Sequence, residues 1–245
     1  MLRQAPIVSS HLAPQLEQSG FCLVPGVQMF DWLACPLRSW TTFAASWDNL
    51  DRDRFMGDGG RYRYRRHASY TLRAGGALTR NRPRPHRQST KFNQLNGGIE
   101  RWFSPIVPSI ADGPVMQAFL SLCTSAFPLH LAETWHIEAH QFRIITGRDP
   151  GKPTPEGLHR DGVDYVFISL IERHNISGGV TRVVPANTAA RSHTVELARP
   201  ADSLFLIDSR VMHGVSPVRA AVDGDPGHRD VLVLTFSKSN TPQET

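Results

Sequence analysis

The chain has 245 residues, 40% hydrophobic and 20% charged, with a net charge of +5, which excludes a disordered or fibrous protein and leaves room for a sizeable core. Three cysteines, Cys22, Cys35 and Cys123, are too few and too scattered for a disulfide framework or a thiolate metal site, so a reducing cytoplasm fits best. No apolar run approaches the roughly 20 residues that span a bilayer, and the opening MLRQAPIVSSHLAPQLEQSG lacks the apolar core of a secretion signal, so a soluble chain with no membrane attachment is expected.

No internal repeat or low-complexity linker divides the sequence, and one domain over 1–245 is the expectation. Residues 10–18 have helical patterning, GFCLVPG reads as a short strand ended by Pro-Gly, and 29–48 place Phe30, Trp32, Leu33, Leu37, Trp40 and Phe43 near a 3.6-residue period. After GDGG, Arg61 to Tyr70 alternate like a strand. A proline- and arginine-rich loop follows, then the turn of NQLNGGIERWF and a helix over 112–126. From about Trp135 the texture changes to short β-rich runs: WHIEAHQFRII, DYVFISLIE, GVTRVVP, HTVELA, DSLFLID, VMHGVSPV and DVLVLTFSK. No helices alternate with them, so an antiparallel sandwich or small closed barrel is expected rather than a parallel sheet. The fold class is then mainly β with flanking helices. N-terminal helices and supporting strands occupy 1–130, and the β core 131–240.

The chemistry concentrates in GLHRDGVDYVFISLI, where His159 and Asp161 stand just before a strand. Most HxD triplets carry no function. Here VMHGVSPV adds His213 in a later strand, and two imidazoles with one carboxylate form a facial set that holds a divalent ion on one side and leaves the other open. The donors suit iron(II); a closed tetrahedral set would suggest structural zinc. Sixteen residues past His213, Arg229 begins the last apolar strand, where its guanidinium fork could hold a carboxylate.

The order HxD, HGVSPV and a final-strand arginine resembles the iron(II)/2-oxoglutarate-dependent dioxygenases. KFNQLNGGIERWFSPI, EAHQFRI and HRDGVDYVFISLIERHNISGGVTRVV resemble their bacterial branch that includes the L-isoleucine 4-hydroxylases. The likeness implies a double-stranded β-helix, or jelly-roll, core. It also implies iron(II) on His159, Asp161 and His213, 2-oxoglutarate held at its distal carboxylate by Arg229, and O2 as oxidant. The implied activity is hydroxylation of an unactivated carbon in a small molecule, a free aliphatic L-amino acid.

Other candidates have plain alternatives beside them. His136, Glu138 and His140 share one strand face and could mimic a metal cluster. Gln141 or Arg143, on the opposite face, could meet a carboxylate in the barrel or pair with a structural acid, and the resemblance favours Arg143. Tyr165 could donate to 2-oxoglutarate or simply pack. His67, His86, His174, His193 and His228 read as loop or surface histidines. Ten Lys/Arg and no acid lie between Arg61 and Lys91, which leaves open a nucleic-acid-directed oxygenase or binding module. A third possibility is a non-catalytic sensor of metal or 2-oxoglutarate.

Overall fold

A computed structural model describes residues 5–239 apart from 131, 148, 187–191 and 223. The first half contains helices α1 (Ala5–Ser19), α2 (Gly26–Leu33), α3 (Leu37–Ala45), α4 (Pro108–Ala111) and α5 (Pro114–Ala126), with strands β1 (Phe21–Val24), β2 (Asp51–Arg52), β3 (Arg63–Leu72) and β4 (Leu78–Arg80). The second half is all β: β5 (Trp135–Ile145), β6 (Tyr165–His174), β7 (Ile176–Gly178), β8 (Thr181–Pro185), β9 (His193–Val195), β10 (Ser203–Ile207), β11 (Val211–Val215), β12 (Val218–Ala220) and β13 (His228–Lys238).

An eight-stranded sheet runs β1-β10-β6-β13-β5-β3-β2, with β4 on β3, and smaller sheets β11-β8-β9 and β12-β7 complete the structure. Every pairing between these strands is antiparallel. The chain is mostly β, and this arrangement of a large antiparallel sheet with smaller ones is the expected jelly-roll.

Side-chain alternation gives the large sheet two different faces. Ile137 and Ala139 of β5, Phe167 of β6 and Leu234 and Phe236 of β13 join Met116, Phe119 and Leu120 of α5 in one apolar core. Val166, Ile168 and Leu170 of β6 turn the other way and meet Val183, Leu204, Leu206 and Val211 in a second core. Burying both faces fixes the register, because a one-residue slip would exchange them.

Two expectations change in detail. The helix expected over 29–48 is broken into α2, α3 and a 3-10 turn at Ser46–Asn49. Pro36 has no N–H to continue a helix, and Ala34 caps α2 in the left-handed region at φ 48°. The Arg61–Tyr70 strand proves to be part of the main sheet, since β3 pairs with β5 from Arg63↔Ile144 to Leu72↔Trp135.

Candidate active site

The inward face of the large sheet opens on a cavity of about 710 Å³. Its walls are the inward residues of β3, β5, β6 and β13, and the segments 86–101 and 153–164 border it. His159, Asp161, His213 and Arg229 all lie around this one space.

His159, Asp161 and His213 are brought together by backbone pairing. His159 and His213 form an antiparallel bridge in which each amide donates to the other's carbonyl at 2.9 Å, and their rings lie 4.6 Å apart. Asp161 Oδ2 is 3.2 Å from His213 Nε2, and Oδ1 is 3.6 Å from His159 Nε2. One ligand atom from each residue falls within 4.8 Å of the others.

The tautomer of His159 suits coordination. Its Nδ1 is 3.0 Å from the Gly157 carbonyl, so Nδ1 carries a proton and donates, and Nε2 faces Asp161. Burial lowers the pKa of His159, but the hydrogen bond and charge of Asp161 prevail and push it up to about 9. A divalent cation can replace that proton as the partner of the carboxylate.

The loop carrying Asp161 is held from below. Buried Asp208 accepts from the amides of Asp161 (2.9 Å), Gly162 (3.0 Å) and Val163 (3.3 Å). Gly162 has φ +79°, and a Cβ there would sit 2.3 Å from the Phe92 ring, so the glycine after Asp161 is sterically required. Neither Asp208 nor Gly162 stood out in the sequence, although three successive amides on one carboxylate make a site of their own kind.

Arg229 lies on the same cavity, 2% exposed. Its Nε and Nη2 have no hydrogen-bond partner, and no carboxylate among the described residues pairs with it. Burial and the nearby charge of Arg173 push it down to about 10. A buried fork with unsatisfied donors is what an acidic ligand would complete. The donor set and this orphaned guanidinium together fit iron and a dicarboxylate.

Three expected residues turn away from the cavity. Arg143 ion-pairs with Asp230 (2.7 Å) and Asp48 (2.9 Å) on the outer face of β5. The reason is parity: β5 directs His136, Glu138, His140, Phe142 and Ile144 inward, which sends Gln141 and Arg143 the other way. Gln141 accordingly donates to Ser46 Oγ at 2.7 Å. Tyr165 stacks on Phe127 with ring centroids 4.8 Å apart and packs against the helix-side core, outside the cavity lining.

His67 is a further correction, because it is buried in β3, whereas His86 lies in a loop as expected but turns inward. Both gather around Glu138 of β5: His86 Nδ1 lies 2.6 Å from Oε2, His67 Nε2 3.4 Å from Oε1, and His140 Nε2 3.5 Å from Oε2. Burial raises the pKa of Glu138, but the imidazoles around it prevail and hold the carboxyl well below its ordinary range. The rings of His174 and His228 lie 5.5 Å apart in a tilted arrangement, and His228 pairs with Glu172, which is exposed.

The basic segment is largely paired within the chain. Arg63 and Arg65 turn inward onto Asp53. Arg66 pairs with Asp51, Arg80 with Asp112, and Arg87 with Glu100, while Arg84 contacts His136.

Comparison with known proteins agrees with this geometry. The sequence model of the 2OG-Fe dioxygenase family matches residues 44–235, and the chain belongs to that family. It is an iron(II)- and 2-oxoglutarate-dependent dioxygenase. A 3(1)-hydroxy-L-isoleucine 4-dioxygenase of Pantoea ananatis (strain AJ13355) is 27% identical over 183 residues, 72% of this chain and 73% of that one. An L-isoleucine-4-hydroxylase of Bacillus thuringiensis is 27% identical over 159 residues, 63% and 65% of the two chains. The crystal structure of a bsmA homolog from Methylobium petroleophilum PM1 matches with TM-score 0.84 and 34% identity, covering 94% of this chain and 93% of the other. Among the described residues, no helix is long and apolar enough to cross a membrane.

Proposed function

We propose that this dioxygenase hydroxylates a free aliphatic L-amino acid, with iron(II) on His159, Asp161 and His213 and the distal carboxylate of 2-oxoglutarate on Arg229. The single observation that carries the site assignment is the buried Arg229, with two unpartnered donors, on the same cavity as the three ligands. The substrate class is supported by two relatives whose names specify isoleucine or a hydroxylated isoleucine. A small-molecule substrate also suits an inward-facing cavity of about 710 Å³, which has room for the co-substrate beside it.

When bound, iron with 2-oxoglutarate and oxygen supplies the oxidising power for an unactivated C–H bond. The chain's own residues hold and orient. His159 and His213 offer nitrogen donors fixed by their mutual backbone bridge. Asp161 offers an oxygen whose loop is fixed by Asp208. Arg229 orients the dicarboxylate, while Val166, Ile168, Val231 and Val233 give the cavity an apolar wall that limits water.

A panel of free L-amino acids tests this reading. The expected result is succinate release above the substrate-free level, with a product heavier by one oxygen, for aliphatic members of the panel. Succinate at the substrate-free level with every amino acid would reject the substrate class and leave the co-substrate chemistry intact.

A further inference from the structure

Four arginines are buried among the described residues: Arg63, Arg65, Arg101 and Arg229. Buried charges are normally paired, so each needs an account. Arg63 and Arg65 share Asp53, at 2.8 and 3.8 Å, and Arg65 also lies between the rings of Phe103 and Phe142. Arg229 faces the co-substrate position. Arg101 remains.

Arg101 is 2% exposed and lies on the cavity. No carboxylate among the described residues pairs with it, and its Nε has no partner. Burial and the charge of Arg63 push it down to about 10, as burial and Arg173 do for Arg229. Its Nη2 donates to Gln88 Oε1 at 3.2 Å, which also accepts from Asn93 Nδ2 at 3.0 Å. Gln88 Nε2 in turn donates to the carbonyl of Asp161 at 3.1 Å. The guanidinium is thus tied to the loop that carries a metal ligand.

Glu156 is the opposite case on the same cavity. Its Oε2 is buried without a partner, and its Oε1 lies 3.7 Å from His159 Nε2. The charge of Glu156 acts on Arg101, yet the two side chains form no ion pair. The buried carboxylate on the cavity, Glu138, is already surrounded by imidazoles.

We propose that Arg101 and Glu156 are the charge pair that selects a zwitterion, Arg101 receiving the substrate's α-carboxylate and Glu156 its α-ammonium. This rests on the amino-acid reading above and names the residues that would enforce it. An acid lacking the ammonium would use half of the pair, and a peptide nitrogen would leave Glu156 uncompensated.

The test is equilibrium binding under anaerobic conditions to the protein loaded with iron(II) and 2-oxoglutarate. Two probes are used: L-isoleucine, and 3-methylpentanoate, which has the same skeleton without the ammonium. Wild type should prefer L-isoleucine. Arg101→Gln should weaken both probes by about tenfold or more, as expected when a buried charge pair loses one member, with 2-oxoglutarate binding unchanged. Arg101→Lys should recover part of the loss, because an ammonium keeps the charge without the fork, and it decides the matter if Arg101→Gln does not fold. Glu156→Gln should bring L-isoleucine down to the affinity of 3-methylpentanoate.

Wild-type binding of L-isoleucine by either Arg101 variant, or full discrimination by Glu156→Gln, would overturn this proposal alone. If wild type binds none of the panel amino acids while still turning over 2-oxoglutarate, the amino-acid reading falls and this proposal falls with it.

Discussion

Two clusters of imidazoles around one carboxylate stand on or beside the cavity. His159, Asp161 and His213 have ligand atoms within 4.8 Å of one another, and so do His67, His86, Glu138 and His140. Their surroundings differ. In the first, His159 Nδ1 is tied to a backbone carbonyl, and the other nitrogen is directed at the shared carboxylate. In the second, Arg65 Nη2 lies 2.7 Å from His140 Nδ1. A guanidinium can only donate, so Nδ1 accepts, and the ring proton sits on Nε2 towards Glu138. Burial and the charge of Arg65 hold His140 well below its usual range, and burial lowers His86 as well. A divalent ion in the second cluster would meet an occupied lone pair and a buried cation. Residue type brings both clusters within coordinating distance, and the neighbouring charge separates them.

The largest expected effect falls on the first cluster. His159→Ala, Asp161→Ala or His213→Ala should each abolish succinate formation and lower iron content, because a three-ligand site has no spare donor. Asp161→Glu should also be severely impaired, since the extra methylene displaces the oxygen while Asp208 holds the loop. Full activity in any alanine variant would remove that residue from the ligand set.

Arg229→Ala should act next most strongly, and on a different quantity. It should raise the apparent constant for 2-oxoglutarate by more than tenfold, on the order of 2–5 kcal/mol for truncating one member of a buried charge pair. Iron content should remain at the wild-type level. Arg229→Lys should recover part of the loss. An unchanged 2-oxoglutarate dependence would exclude Arg229 as the anchor, and Arg143 could not take its place while it faces Asp230 and Asp48.

In the second cluster the expected effect is on stability rather than on metal. Glu138→Ala leaves His67, His86 and His140 facing one another without their common acceptor. Unsatisfied buried groups of this kind cost about 1–3 kcal/mol each, so chemical denaturation should show a loss on that scale with iron content unchanged. A fall in iron stoichiometry in this variant would make the second cluster a metal site and dissolve the contrast.

The contrast also explains how much the sequence could disclose. The first cluster is written locally: HRD stands beside a strand, His213 lies in its own short motif, and Arg229 opens the last strand. Short β-rich runs such as DYVFISLIE and DVLVLTFSK, following one another at close intervals, were enough to expect the β core. The second cluster has no such local signature. His67 meets His140, and Ser69 meets Glu138, through the register of β3 on β5, a pairing between segments some seventy residues apart. Arg143 was hard to place for a related reason. Both faces of WHIEAHQFRII carry polar groups, so periodicity separates the faces without saying which is inward. Arg101, in the non-repetitive ERWF segment, stands out only once the structure shows it buried, with an unpartnered Nε and no ion-pair partner among the described residues.

The smallest expected effect lies outside both clusters, at Tyr165. Its ring stacks on Phe127 at 20° and lies 5.9 Å from Trp135, in the core between the sheet and the helices. Tyr165→Phe keeps that ring and removes a hydroxyl on the far side of the sheet from the cavity. Stability should therefore change by no more than about 0.5 kcal/mol, and the apparent constant for 2-oxoglutarate should equal that of wild type. Tyr165→Ala gives the matching control, because deleting a packed aromatic costs about 3–5 kcal/mol while still leaving the co-substrate contacts in place. A rise in the 2-oxoglutarate constant with the phenylalanine variant alone would mean that the hydroxyl reaches the cavity, and that β6 sits in the opposite parity to the one that directs Val166 and Ile168 inward.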